Sequence, residues 1–282
     1  MNEPRVFKNS PFALIVLIIF FVFMLAFIAF GSSFDSAFSM LPFAVFGMLI
    51  FGAIFLSVSS KVILTDDEIT TQSLFGSKSM RWSDIGRVSG RGFNIKLHDY
   101  NEDMTVTPSP GLPGYEEIID ILGSKRPDLF SSQEYGEMRR GLGPLALLMS
   151  VLLLLLGISL SFFLSIMDTS EAPFAGLIAL LAFVLFAAFA AAMVFSIPNS
   201  LTLERNSLIL KYVFSEKTLL ADEIASVRLS FTQSRNGKQY FIALMLTNRK
   251  SIRISGLGIS LPIAYLVLKN WHAQNSSDKS KN

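Results

Sequence analysis

The chain has 282 residues, 51% of them hydrophobic and only 16% charged, with a mean hydropathy of +0.50; an ordinary soluble domain carries about 25% charged residues. With no cysteine and two histidines, a disulfide framework, a thiol nucleophile, a zinc finger and a His-rich metal site are all excluded. The formal net charge of +2, from 24 basic and 22 acidic residues, says little until the charges are placed along the chain.

Taken in chain order, the first predicted element is an uncharged apolar run at 11–30, preceded by Arg5 and Lys8. Its length exceeds the 7–15 residues of a signal-peptide core, so it reads as a retained helix. A second run at 36–60 completes a hairpin, and runs at 144–167 and 172–197 make another. Each is long enough to cross the roughly 30 Å hydrocarbon core as a helix, which needs about 20 residues. Four transmembrane helices in two hairpins are therefore expected. No ionisable residue lies inside these runs, which argues against transport through a charge relay. Small residues at Ala187/Ala191 and Ala188/Ala192 suit close helix packing, within the bundle or by self-association.

The connectors at 31–40 and 167–173 carry no Lys or Arg. All basic residues precede the first run or fall in the two polar segments, among them Lys61 after the first hairpin and Arg139 and Arg140 before the second. Such residues hold their flanks on the cytoplasmic side. Arg5, Lys8, Lys61, Arg139 and Arg140 thus read as topology anchors. A multi-pass cell-membrane protein with both termini and both polar segments cytoplasmic is expected.

Each hairpin precedes a polar, strand-rich segment, and the order repeats. A shift of 139 residues aligns Val62, Ile63 and Leu64 with Leu201, Thr202 and Leu203, then Ile69 with Leu208, Phe75 with Phe214, Lys78 with Lys217, Ile85 with Ile224 and Val88 with Val227. The apolar positions keep register without a gap, which reads as an old duplication. Strands are predicted at 61–65, 69–74, 78–82, 85–89, 93–98 and 104–107, and again at 201–204, 207–214, 216–220, 224–231, 240–247 and 251–255. Asn236-Gly237 is a hairpin turn by composition. Amphipathic helices at 115–122 and 261–271 close the two segments. The domains are then 1–60 (tail and first hairpin), 61–135, 136–198 (second hairpin), 199–273 and a disordered polar tail at 274–282.

The step Arg81-Trp82-Ser83-Asp84-Ile85-Gly86-Arg87-Val88 and the final helix Tyr115-Glu116-Glu117-Ile118-Ile119-Asp120-Ile121-Leu122, after several short strands, resemble the bacterial pleckstrin-homology-like domains. The second copy departs from the pattern, because Leu220-Ala221-Asp222-Glu223-Ile224 lacks the tryptophan. The resemblance implies an α+β fold in which each segment is a small, partly open antiparallel β-barrel capped by a helix. It supplies no activity and no binding residues.

Nothing in the polar segments reads as catalytic. His98 and His272 share no motif, and the acidic runs at 66–68 and 99–103 read as solvated turns. The glycines of 86–92 lie between strands, where the helix N-terminus of a phosphate loop is missing. No cofactor or metal is expected, and no enzyme. A membrane enzyme would need Asp84 or His98 in a pocket with a partner.

Charge is more informative. Residues 59–143 carry 10 basic and 13 acidic side chains, and 198–282 carry 12 and 5. The second segment, at +7, holds the candidate anionic-lipid or partner contact, Arg235, Lys238, Arg249, Lys250 and Arg253, on turns and strand ends. The expected function is a non-enzymatic scaffold or binding subunit contacting lipid headgroups or a protein partner. The second reading is an accessory subunit of a complex that handles or exports a lipid or peptide. Nucleic acid is not an expected partner, since no recognition motif is present.

Overall fold

The computed structural model describes residues 3–10, 59–74, 76–168, 173–195, 197–234 and 237–277, with isolated helical positions between 12 and 55. The chain divides into two units, Met1–Leu129 with Ser234–Lys238, and Phe130–Gln233 with Gln239–Asn282.

In the first unit, β1 (Arg5–Lys8), β2 (Lys61–Leu64), β3 (Glu68–Ser73) and β4 (Gly76–Arg81) form one antiparallel sheet in that order. Alternation sets its inner face. Leu64, Ile69 and Met80 share one cross-strand row and are all buried. A 3₁₀ turn at Trp82–Asp84 leads into the second sheet, β5 (Ile85–Ser89), β6 (Lys96–Asp99) and β7 (Thr105–Val106). The register shifts between Ile85 and Arg87, at a glycine whose added Cβ would meet the Tyr100 ring at 2.8 Å. Helix α1 (Tyr115–Lys125) follows, burying Tyr115, Ile118, Ile119 and Leu122.

Strand β1 lies outside every element expected from the sequence. It is short, and its partner β2 begins only at Lys61. Its Phe7 reaches the start of α1, where Gly114 has φ +79° and a Cβ would stand 2.8 Å from the Phe7 ring. Gly114→Ala is expected to lose about 1–2 kcal/mol from the left-handed backbone alone, with further loss as Phe7 is displaced. A lowered urea midpoint for the first unit, read on Trp82 fluorescence, checks this.

The second unit repeats the plan. Its first sheet joins β8 (Glu137–Arg139), β9 (Ser200–Leu203), β10 (Ser207–Lys211) and β11 (Glu216–Leu220); its second joins β12 (Ile224–Ser234), β13 (Gly237–Leu246) and β14 (Ser251–Ile254). The correspondence holds residue by residue. Leu64 opposite Ile69 and Glu68 opposite Arg81 become Leu203 opposite Leu208 and Ser207 opposite Leu220. The 3₁₀ turn recurs at Ala221–Glu223. Between β8 and β9 lie α2 (Leu142–Asp168) and α3 (Pro173–Phe195), which pack on each other. Helix α4 (Leu261–Ser277) closes the unit, running past the expected end at 271 and into the segment expected to be a disordered tail. Residues 278–282 lie outside the described residues.

The expected four transmembrane helices need correction. Among the described residues, no helix is long and apolar enough to cross a membrane. Most of the expected runs at 11–30 and 36–60 falls outside the described residues, although Phe21 stacks on Phe51 at 4.1 Å. Leu153, Leu154, Leu181 and Leu185 on α2 and α3 are exposed. Apolar composition requires that a helix be covered without naming what covers it. The multi-pass cell-membrane assignment and the cytoplasmic placement of termini and domains fall with the spans, because basic flanks orient a chain only relative to a crossing.

Candidate anion-binding surfaces

Among the described residues, Asp84 and His98 do not share a pocket. His98, half-buried on β6, meets the Ser89 hydroxyl at 2.7 Å through Nε2 and the Thr105 hydroxyl at 3.2 Å through Nδ1. Both ring nitrogens are thus occupied by hydroxyls, with no carboxylate to orient the ring. Asp84 accepts a bond from Ser83 and lines a shallow cleft of about 270 Å³ with Asp99, Tyr100 and Met104, which His98 does not line. His272 sits 2.7 Å from the Ile224 carbonyl. Among the described residues no three His, Asp or Glu side chains gather as a metal site would require. Asp66 is bonded by Lys125, and Met104 N–H donates to the Asp99 carboxylate, so both acidic runs are ordered turns.

Four of the five cations expected to form a contact surface lie among the described residues. Arg235 lies outside the described residues. Lys238 belongs to the first unit, with Nζ 3.7 Å from Glu116 Oε1. Arg249, Lys250 and Arg253 stay together in the second unit, all exposed. Arg249 takes φ +66° at the turn entering β14, and Lys250 N–H donates to Asn248 Oδ1. Arg253 lies over the Phe241 ring, 4.5 Å from its centroid. Lys250 and Arg253 are thus about 10 Å apart along an extended strand. Cations on an edge strand also block unwanted strand pairing, and β14 is an edge.

The residues read as topology anchors are sheet residues. Arg5 pairs with Glu117 of α1. Lys8 and Lys61 stand directly opposite each other, an arrangement that costs stability. Arg139 is held by Glu137 at 2.8 Å, and that bond draws the exposed Glu137 carboxyl below its ordinary range. Arg140 is fixed through its backbone, donating to the Asn199 carbonyl at 2.7 Å and bridging to Leu257.

Register shows a grouping that the sequence reading missed. In the first unit Lys8, Lys61, Gln72 and Ser77 form one row across the sheet, with Lys78 in the next. In the second, Arg139, Ser200, Lys211 and Glu216 form the equivalent row, with Lys217 in the next. Both rows border the turn between the third and fourth strands of their sheet, β3–β4 in the first unit and β10–β11 in the second. Those turns carry Leu74, 56% exposed, and Val213 and Phe214, 40% and 81% exposed. Phe75 lies outside the described residues. Turns favour Gly, Asn, Asp, Ser and Pro; a Leu-Phe and a Tyr-Val-Phe there were the available signal. In the second turn, Tyr212 N–H donates to the Ser215 carbonyl at 2.7 Å, and burial pushes the Tyr212 hydroxyl above its ordinary value.

Compared with models of known protein families the chain matches none, and no curated protein matches it.

Proposed function

We propose that the chain is a non-enzymatic binding protein whose two related modules dock on anionic lipid headgroups. In each module a four-stranded sheet, a three-stranded sheet and a closing helix support the likeness to pleckstrin-homology-like domains. The observation that carries the reading is the exposed trio Arg249, Lys250 and Arg253, on the edge of a segment with 12 basic and 5 acidic residues. An anionic surface attracts each such cation by about 1 kcal/mol, and salt weakens the attraction.

Flotation of the full chain with vesicles of phosphatidylserine in phosphatidylcholine is the test. Binding is expected to exceed that to phosphatidylcholine alone and to fall with salt. Changing all three cations to glutamine should lower the partition constant roughly 100-fold. An unchanged partition constant would remove this surface as the contact.

A further inference from the structure

We propose that Leu74 at the tip of one hairpin and Val213 and Phe214 at the tip of the other insert their apolar side chains into the interfacial layer of an anionic bilayer, with the bordering cations on the headgroups. The inference rests on the reading of the partner as anionic lipid, but on different residues.

The argument is one of coincidence at equivalent positions. Both modules place apolar residues at the tip of the same hairpin, where solvent would favour polar ones. Phe214 is the most exposed large apolar side chain among the described residues, at 81%. It contacts the Phe195 ring edge-on at 5.0 Å, so the apolar surface of the second tip continues onto the end of α3. Exposed apolar surface rimmed by polar residues marks an interaction site.

The rim is basic in both modules. Lys8, Lys61 and Lys78 border the first tip and make no ion pair among the described residues. The opposed Lys8 and Lys61 lose their mutual repulsion when an anion lies between them. Arg139, Lys211 and Lys217 border the second, where Glu137 and Glu216 offset part of the charge. Apolar side chains with flanking Lys and Arg are the chemistry of an interfacial anchor. The first segment has an overall excess of acid, yet its tip carries the less compensated basic rim.

The chain has no cysteine, so Leu74→Cys and Phe214→Cys each give one attachment site for an environment-sensitive nitrobenzoxadiazole label. Asp103→Cys, on the polar turn between β6 and β7, is the control. With phosphatidylserine vesicles, both tip labels should brighten several-fold and be quenched by lipids spin-labelled near the headgroup, and the control should stay dim. Tip labels that stay dim while the chain still floats with vesicles would overturn the insertion and leave headgroup binding standing. Failure to float at all would sink both. Brightening without vesicles that grows with protein concentration would overturn it in favour of self-association. Leu74→Asp with Phe214→Asp should lower partitioning roughly ten-fold or more, and equal partitioning would count against the proposal.

Discussion

Trp271→Ala is expected to destabilise the second unit by about 3–5 kcal/mol, the usual range for emptying a buried tryptophan site. Trp271 is 2% exposed, and its indole N–H donates to the Glu204 carbonyl at 2.7 Å. Glu204 is the repeat equivalent of Thr65, whose carbonyl accepts the Trp82 indole N–H at 3.1 Å in the first unit. The same carbonyl is therefore satisfied by an indole in both modules, from different places. In the first, the tryptophan comes from the 3₁₀ step; in the second that step has Ala221, and the closing helix supplies the ring. Each unit also holds a single tryptophan, the only two in the chain. Trp82→Phe leaves Trp271 as the sole reporter of the second unit, and Trp271→Phe leaves Trp82 for the first. Each phenylalanine variant should lose about 1 kcal/mol, since a part-buried carbonyl loses its donor while most of the packing stays. With Trp271→Ala the reporter is Tyr fluorescence or circular dichroism, and a urea midpoint close to that of the unaltered chain would refute the shared-carbonyl account.

That substitution shows what could and could not be read from the sequence. The stretches 61–89 and 200–228 were legible because the apolar positions recur without a gap, and pairing follows alternation. The missing tryptophan at position 221 looked like a weakened match. Its replacement by Trp271 was not legible, because the two rings occupy non-equivalent positions and meet the same carbonyl only in space. Strands β1 and β8 escaped for a related reason: each pairs with a strand more than 50 residues further along the chain, and four or three residues carry no periodic signal of their own. Grouping cations by segment favoured the second module, whereas register sorts them by row and places Lys8, Lys61 and Lys78 around one corner of the first. Hydropathy predicted helices at 144–167 and 172–197, close to where α2 and α3 lie, but it could not name their surroundings. The polar segments were more informative about geometry because each side chain there has either water or core to choose.

Arg126→Met, at the C-cap of the closing helix of the first unit, should cost about 3 kcal/mol. One guanidinium nitrogen donates to both the Trp82 and the Ile85 carbonyls at 2.6 Å, and the Arg126 side chain is only 13% exposed. Methionine keeps the apolar stem and removes the donors, leaving two acceptors that no water can easily reach, at roughly 1–3 kcal/mol each. In the second unit His272 serves the Ile224 carbonyl, the equivalent of Ile85, so the bond ties helix to strand in both copies. The remaining donors of Arg126 grip Asp128 at 2.6–3.2 Å. That grip draws the Asp128 carboxyl below its ordinary range, chiefly through the hydrogen bond. In the unfolded chain Asp128 titrates near 3.9, so the unfolded state takes up its proton first as pH falls. The stabilisation is complete above that value and disappears as pH drops through the lower folded one. Asp128 is 60% exposed, so solvent screening keeps this part to a few tenths of a kcal/mol. Urea midpoints of the Trp271→Phe chain should fall more steeply between pH 5 and about 3 than those of the same chain with Asp128→Asn, whereas Arg126→Met should be weakened at every pH. Parallel acid profiles for the Asp128 pair would show the carboxylate to be a bystander. A full-strength Arg126→Met chain would mean that the two carbonyls find other donors.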